Sequence, residues 1–334
     1  MFSLKTMNIG IIGGSGANEV IAALGVEAIR YESPKENICG VDYIQFDYEG
    51  NKVIFVQRHG AHHTRDPARL DPRYIVETLE GLMGKDDSNR LIIKTSASGC
   101  LDPYDKEANI GTKLVDEGGI VVCHDVMRSF GFGAYSFSGE GGRELHAVIQ
   151  NAYYETARRL ALDAIAKVPG ATGYEGGVYV NTAGNQFESP AEVMTLWAGL
   201  ELQRILFKTL RGDLRRTRKE LESETPGSER YKELKDEEAE YLRDIPRWEK
   251  AAKVLNINHS TVSMNAAKEL PLLVECSFKN IVLLSLPVNY GVGMIPDEKV
   301  DHERTKQAIA KAAPLYIAPT LINMIRMAEQ YIRR

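Results

Sequence analysis

Short apolar runs rich in β-branched residues recur along the chain: Ile9–Ile12, Asp42–Phe46, Lys52–Gln57, Arg90–Thr95, Gly119–Cys123, Gly177–Asn181 and Asn280–Pro287. Each has the length of a strand. Between them, Tyr74–Leu82, Ala147–Ala166, Ala191–Leu210 and Thr305–Tyr331 carry apolar residues at helical spacing. Strands alternating with helices predict an α/β layer structure. Ile281-Val282-Leu283-Leu284 has no polar alternation, the pattern of a strand buried on both faces.

The pattern changes between Glu201 and Val254. This stretch is dense in Arg, Lys and Glu, with Leu202, Ile205, Leu206, Leu210 and Leu214, then Leu234, Tyr241, Leu242 and Ile245, at helical spacing. Thr225-Pro226-Gly227-Ser228 interrupts it: Pro and Gly end one helix, and Ser228 can cap the next. Residues 201–250 therefore read as an antiparallel helical hairpin inserted into a single domain spanning 1–334. Such an arm serves either as a solvated structural element or as an oligomer contact or lid.

Bulk properties narrow the partners. A formal net charge of −5 gives no electrostatic case for nucleic acid or a membrane surface. Cys39, Cys100, Cys123 and Cys276 are scattered, so reduced thiols in a cytoplasmic protein are the simple reading. Met1 to Asn8 does not resemble a signal peptide, and no apolar run is expected to reach the length of a membrane span.

Candidate chemistry gathers where strands end. Ile9–Ile12 runs into Gly13-Gly14-Ser15-Gly16, either a structural strand-to-helix turn or a cradle of backbone N–H groups for an anion, with the Ser15 hydroxyl as a further donor. It matches neither the dinucleotide fingerprint nor a P-loop. The strand from Lys52 delivers Arg58 and His59 ahead of Gly60, and an Arg fork fits phosphate oxygens. His62 and His63 follow without an acidic ligand at metal spacing, so no metal is expected. Thr95-Ser96-Ala97-Ser98-Gly99 offers hydroxyl and N–H donors, with Cys100 read as an ordinary buried thiol. Asn181–Glu192 leaves a strand, passes Gly184 and Phe187, and enters a helix at Ser189-Pro190; Ser189 and Glu192 fit a capping box. Asn258–Val262 follows the arm, and Leu284–Gly291 is a strand ending at Asn289.

The order of these motifs is specific. Gly-Gly-Ser-Gly, Arg58-His59-Gly60-x-x-His63, Thr95–Leu101, Gly184-x-x-Phe187-x-Ser189-x-Ala191-Glu192, Ser260-Thr261-Val262 and Asn289-Tyr290 together resemble the trimeric purine nucleoside phosphorylase and methylthioadenosine phosphorylase family. The resemblance covers nearly the whole chain except the arm. It implies a central mixed β-sheet flanked by helices, a homotrimer, and a site near the subunit interface. It also implies phosphorolysis, in which inorganic phosphate is the co-substrate, no cofactor takes part, and base and sugar 1-phosphate leave.

By position, Ser15, Arg58, His59, Ser96, Ala97 and Ser260 resemble the family's phosphate ligands. Phe187 resembles the aromatic that stacks on the base. His259 falls where the family has a ribose-side Met, and Asn289 where a side chain meets the purine's N7 and C6 edge. His146 matches a residue that reaches a neighbour's 5′ pocket, and His302 one that meets a 5′-hydroxyl. The chain departs from the family at Ala183-Gly184-Asn185-Gln186-Phe187, which replaces Glu-Gly-Pro-Arg-Phe; Gln186 is the candidate substitute for the lost carboxylate. Ser260–Met264 replaces Ser-Thr-Val-Pro-Glu, and Asn289-Tyr290-Gly291 stands where methylthioadenosine phosphorylases have Asp-Tyr-Asp. The expected activity is phosphorolysis of 6-oxopurine nucleosides. The alternatives are a 5′-methylthio-nucleoside phosphorylase, a hydrolase and a non-catalytic nucleoside-binding protein.

Overall fold

A computed structural model describes residues 6–25, 29–31, 42–60, 71–84, 89–102, 115, 118–128, 136–137, 149, 153–182, 189–255, 259–292, 294 and 300–332. The chain divides into two compact units, Met1–Pro190 with Asn258–Arg334, and Ala191–Ile257.

The first unit is built on one mixed sheet. Its strands are β1 (Asn8–Gly13), β2 (Ile29–Tyr31), β3 (Tyr43–Tyr48), β4 (Asn51–Gln57), β5 (Arg90–Cys100), β6 (Gly119–Arg128), β7 (Thr172–Asn181), β8 (His259–Ser263) and β9 (Ile281–Tyr290). They run in the order β2-β3-β4-β1-β5-β8-β7-β6-β9. A further pairing of β9 back onto β5 closes β5, β8, β7, β6 and β9 into a ring. β4, β1, β5 and β9 run parallel to one another, so their carboxyl ends share one edge. The sheet is the α/β arrangement that the sequence predicts.

The continuous apolar runs follow from this layering. Ile9, Val53, Phe55, Leu91, Ile93, Val282 and Leu284 pack into a core on one face. Their strand neighbours Ile12, Ile54, Val56, Ile92, Ile281 and Leu283 pack into a core on the other. Successive side chains point to opposite faces, and both faces are covered, so neighbouring positions in these stretches are apolar alike.

Helices α1 (Ala17–Leu24), α2 (Pro72–Met83), α3 (Glu155–Ile165) and α6 (Glu269–Glu275) belong to this unit. So do α7 (His302–Ala312) and α8 (Ala318–Ile332), joined by one π-turn at Ala313–Ile317. α3 begins at Glu155, later than the helix expected from Ala147. The single helix expected over Thr305–Tyr331 is interrupted at Pro314, whose ring removes an N–H and crowds the preceding turn. His302–Ile332 is also long and apolar enough, by length and composition, to cross a membrane, which corrects the expectation that no run would be. In this fold Ile309, Ala313, Ile317, Leu321, Met324 and Ile325 face the core.

The second unit is a hairpin of α4 (Pro190–Ser223) and α5 (Glu229–Leu255), longer at both ends than 201–250. Ser228 accepts from Tyr231 N at 3.0 Å and caps α5. Arg218 with Glu238 at 2.9 Å and Arg230 with Glu220 at 3.1 Å fix the two helices antiparallel. Such exposed pairs are screened by solvent and set register more than stability.

Candidate functional site

A cavity of about 630 Å³ opens at the carboxyl ends of β1, β4, β5 and β9. Its lining joins Gly14, Ser15, Gly16, Arg58, His59, Ser96, Ala97, Val262, Ser263, Met264, Asn265, Asn289 and His302. A crevice at the carboxyl ends of parallel strands is where α/β sheets bind ligands.

One end of the cavity gathers a glycine turn and an arginine, groups that can hold an anion. β1 stops at Gly13, and Gly16 takes φ +91 to start α1, a conformation that favours glycine. Arg58 N donates to Gly13 O at 3.0 Å, which ties the residue after β4 to the end of β1. Gly14 lacks a Cβ for a reason: one placed there would lie 2.8 Å from Arg58 Nη1 and 2.9 Å from Thr95 O. The guanidinium therefore lies directly against the glycine turn. Ser96 Oγ lies 3.0 Å from Tyr179 Oη, which also accepts from Ala266 N at 3.2 Å.

Behind the cavity wall sits a cluster of three buried charges. Arg58 Nε meets Glu269 Oε1 at 2.6 Å, and Lys94 Nζ meets Glu269 Oε2 at 3.0 Å. All three side chains are 2% exposed or less. Lys94 Nζ also donates to the Ala266 carbonyl. Burial alone would raise the Glu269 carboxyl, but the charges of Arg58 and Lys94 outweigh it and hold it at about 2. Burial lowers Lys94 to about 8, with Glu269 opposing and Arg58 adding to the fall. Two cations face one carboxylate, so the cluster carries one surplus positive charge. Arg58 Nη2 is buried with no hydrogen-bond partner. An unpaired donor on a charged group is costly in a closed site, and an oxyanion would satisfy it.

The structure thus brings together Ser15, Arg58, His59, Ser96, Ala97, Asn289 and His302 in one cavity. It does not place His259 and Ser260 in the lining. They begin β8, while the lining uses its far end from Val262 onward. His259 Nδ1 lies 2.7 Å from Asp102 Oδ2, and Ser260 N donates to Asp102 Oδ1 at 2.9 Å. The His259 ring also stands edge-on to Tyr174, with centroids 4.8 Å apart. From β8 and the turn after it, the residues that line the cavity are Val262, Ser263, Met264 and Asn265. Asn181 holds this turn, donating to Met264 O at 2.8 Å and accepting from Ala267 N at 3.1 Å. The Asn289 amide is partly engaged, since Nδ2 donates to Tyr290 O at 2.6 Å. His146, Gln186 and Phe187, with Ala183, His62 and His63, lie outside the described residues.

Glu269, Tyr179, Asp102, Met264 and Asn265 were not singled out from sequence as site residues, nor was Lys94. Lys94 did carry a signal: it continues Leu91-Ile92-Ile93 in a strand buried on both faces, where a lysine has no solvent face to reach. Glu269 had none, because Ala266-Ala267-Lys268-Glu269 reads like an ordinary helix surface.

No family model matches the chain. A protein of Korarchaeum cryptofilum named "Probable 6-oxopurine nucleoside phosphorylase" is 29% identical over 197 residues, covering 56% of this chain and 66% of that one. A Xanthomonas campestris protein named "Probable S-methyl-5′-thioinosine phosphorylase" is 24% identical over 192 residues, covering 57% and 70%. The chain spans just under two thirds of the length of the first curated relatives it matches, 64–66%. Among solved structures, the methylthioadenosine phosphorylase of Schistosoma mansoni in complex with adenine superposes with TM-score 0.62 at 16% identity, over 97% of this chain and 92% of that one. That likeness is one of fold. The sequence relatives are named as 6-oxopurine nucleoside and methylthio-nucleoside phosphorylases, and the fold is similar to that of a methylthioadenosine phosphorylase.

Proposed function

We propose that the chain cleaves purine nucleosides with inorganic phosphate, giving free base and ribose 1-phosphate, and prefers 6-oxopurines. The observation that carries this reading is the unpaired, buried Arg58 Nη2 beside the Gly14 turn, backed by a surplus positive charge. Phosphate held by Arg58, Ser15 and the Ser96–Ala97 edge would attack the anomeric carbon, and the glycosidic bond electrons would leave with the base. The transition state separates charge, so donors aimed at phosphate and base stabilise it more than the ground state. No protein nucleophile is required, since positioning does much of the work. Met264 takes the ribose side in place of His259, and Asn289 faces the base with an amide where an acceptor carboxylate would repel O6.

His302 at the first turn of α7 lines the cavity and suits a 5′-hydroxyl. Relatives named for 5′-methylthio substrates keep that class as the second reading. The family resemblance supports a homotrimer, with His146 close to a neighbour's site and no cofactor beyond phosphate. The buried free thiols of Cys100, Cys123 and Cys276 suit a cytoplasmic setting. The test is release of free base from inosine, guanosine, adenosine and 5′-methylthioinosine, with and without phosphate, alongside mass in solution. Base released only with phosphate supports phosphorolysis. Release without phosphate makes the protein a hydrolase, and binding without release makes it a nucleoside-binding protein.

A further inference from the structure

We propose that Lys94 and Glu269 form a positioning pair for Arg58, aiming its guanidinium at the Gly14 turn and leaving its charge uncompensated there, so that oxyanion binding in the cavity depends on the Lys94 charge. The inference rests on the anion-site reading above. Glu269 takes the Nε edge of Arg58 at 2.6 Å, Nη1 packs at Gly14, and Nη2 has no partner. A lone Arg58–Glu269 pair would already give that geometry, but its charges would cancel. Lys94 adds a third, fully buried charge; its Nζ forms an ion pair with Glu269 Oε2 at 3.0 Å and donates to the Ala266 carbonyl. Burying a set of charges is expensive, and replacing the whole set by apolar side chains often stabilises a fold, whereas removing a single partner leaves an uncompensated charge. Lys94 does not line the cavity, so it acts through Glu269 and not on the ligand.

The groups that act on Lys94 are Glu269 on α6, Arg58 after β4 and Cys123 on β6. Burial pushes the Cys123 thiol far up, so it stays neutral while Lys94, at about 8, loses its proton. The experiment is calorimetric titration of the full chain with sulfate, whose two charges stay fixed between about pH 7 and about pH 9.5. Wild-type affinity is expected to fall about tenfold across that range. Lys94→Met is expected to bind about tenfold more weakly at pH 7 and to show no such fall. Lys94→Arg keeps a charge that does not titrate, so it should bind well and evenly with pH. The double variant Lys94→Met/Glu269→Gln restores the net charge and should recover about threefold or more over Lys94→Met, which a merely misfolded protein would not.

A flat wild-type profile, or Lys94→Met binding like wild type, overturns the inference while leaving the anion site intact. Should Lys94→Met not fold, wild type against Lys94→Arg still decides. Wild type that binds neither sulfate nor phosphate overturns both the site reading and the inference.

Discussion

Replacing Arg58 by Ala removes the one group that both the glycine turn and the buried cluster are arranged around. The guanidinium has three outward edges. Nε is committed to Glu269 at 2.6 Å, Nη1 lies against the Gly14 turn, and Nη2 is buried without a partner. The substitution therefore deletes up to two charge-assisted donors to the anion. At about 1.5–3 kcal/mol each, and not fully additive, the loss is about 2–4 kcal/mol. At about 1.4 kcal/mol per decade that is about 30- to 700-fold. The loss should fall mainly on the phosphate KM, because phosphate is bound in the ground state too. Folding should survive better than a broken buried pair usually allows, since Glu269 keeps Lys94 at 3.0 Å. The assay is initial rate on inosine against phosphate concentration, with a thermal melt to establish that the variant is folded. A folded Arg58→Ala enzyme with an unchanged phosphate KM would refute the assignment of this cavity end to phosphate.

Gly14→Ala puts a methyl 2.8 Å from Arg58 Nη1 and 2.9 Å from a backbone oxygen. The phosphate KM should rise about tenfold or more, and an unaffected KM would show that the guanidinium need not lie there. Glu269 is held near 2, so the folded state resists its protonation, and the stability this gives is present above 4.5 and lost as pH falls toward 2. The unfolding free-energy gap between wild type and Glu269→Gln, on the order of 3 kcal/mol, should therefore narrow over that window in denaturant titrations. Lys94 works in the opposite sense: its folded-state value of about 8 lies below 10.5, so its burial penalty eases as pH rises between the two. Wild type should gain stability relative to Lys94→Met there, and a constant difference would place Lys94 outside the buried cluster. Asn289→Asp should shift preference from inosine toward adenosine by about 10- to 100-fold; an unchanged ratio would mean that Asn289 does not read the base.

Much of the fold was legible because strands buried on both faces need long apolar stretches, and Ile9–Ile12, Val53–Val56, Leu91–Ile93 and Ile281–Leu284 are such stretches. Strand ends were legible too, since Gly14, Arg58, Ser96 and Asn289 sit where apolar runs stop. β8 was not singled out as a strand, because His259–Ser263 alternates too briefly and is too polar to stand out. Its polar residues find partners inside the ring, where Ser285 Oγ donates to Thr261 Oγ1 at 2.9 Å. Without the strand, its register could not be read from the sequence.

The charge cluster shows a different limit. Arg58, Lys94 and Glu269 come from three separated segments, and Arg58 pairs with a residue 211 positions away. No local pattern encodes such a pairing. What the sequence does carry is a lysine in a strand with no exposed face, and that is a physical contradiction unless a counter-charge is brought to it. Glu269 resolves it, and Arg58 turns the resolved pair into a site with charge to spare. A polar residue that breaks an apolar run on a doubly covered strand is therefore a demand for a distant partner. In this chain the partner it demands is Glu269, the residue that also holds Nε of Arg58 at the cavity.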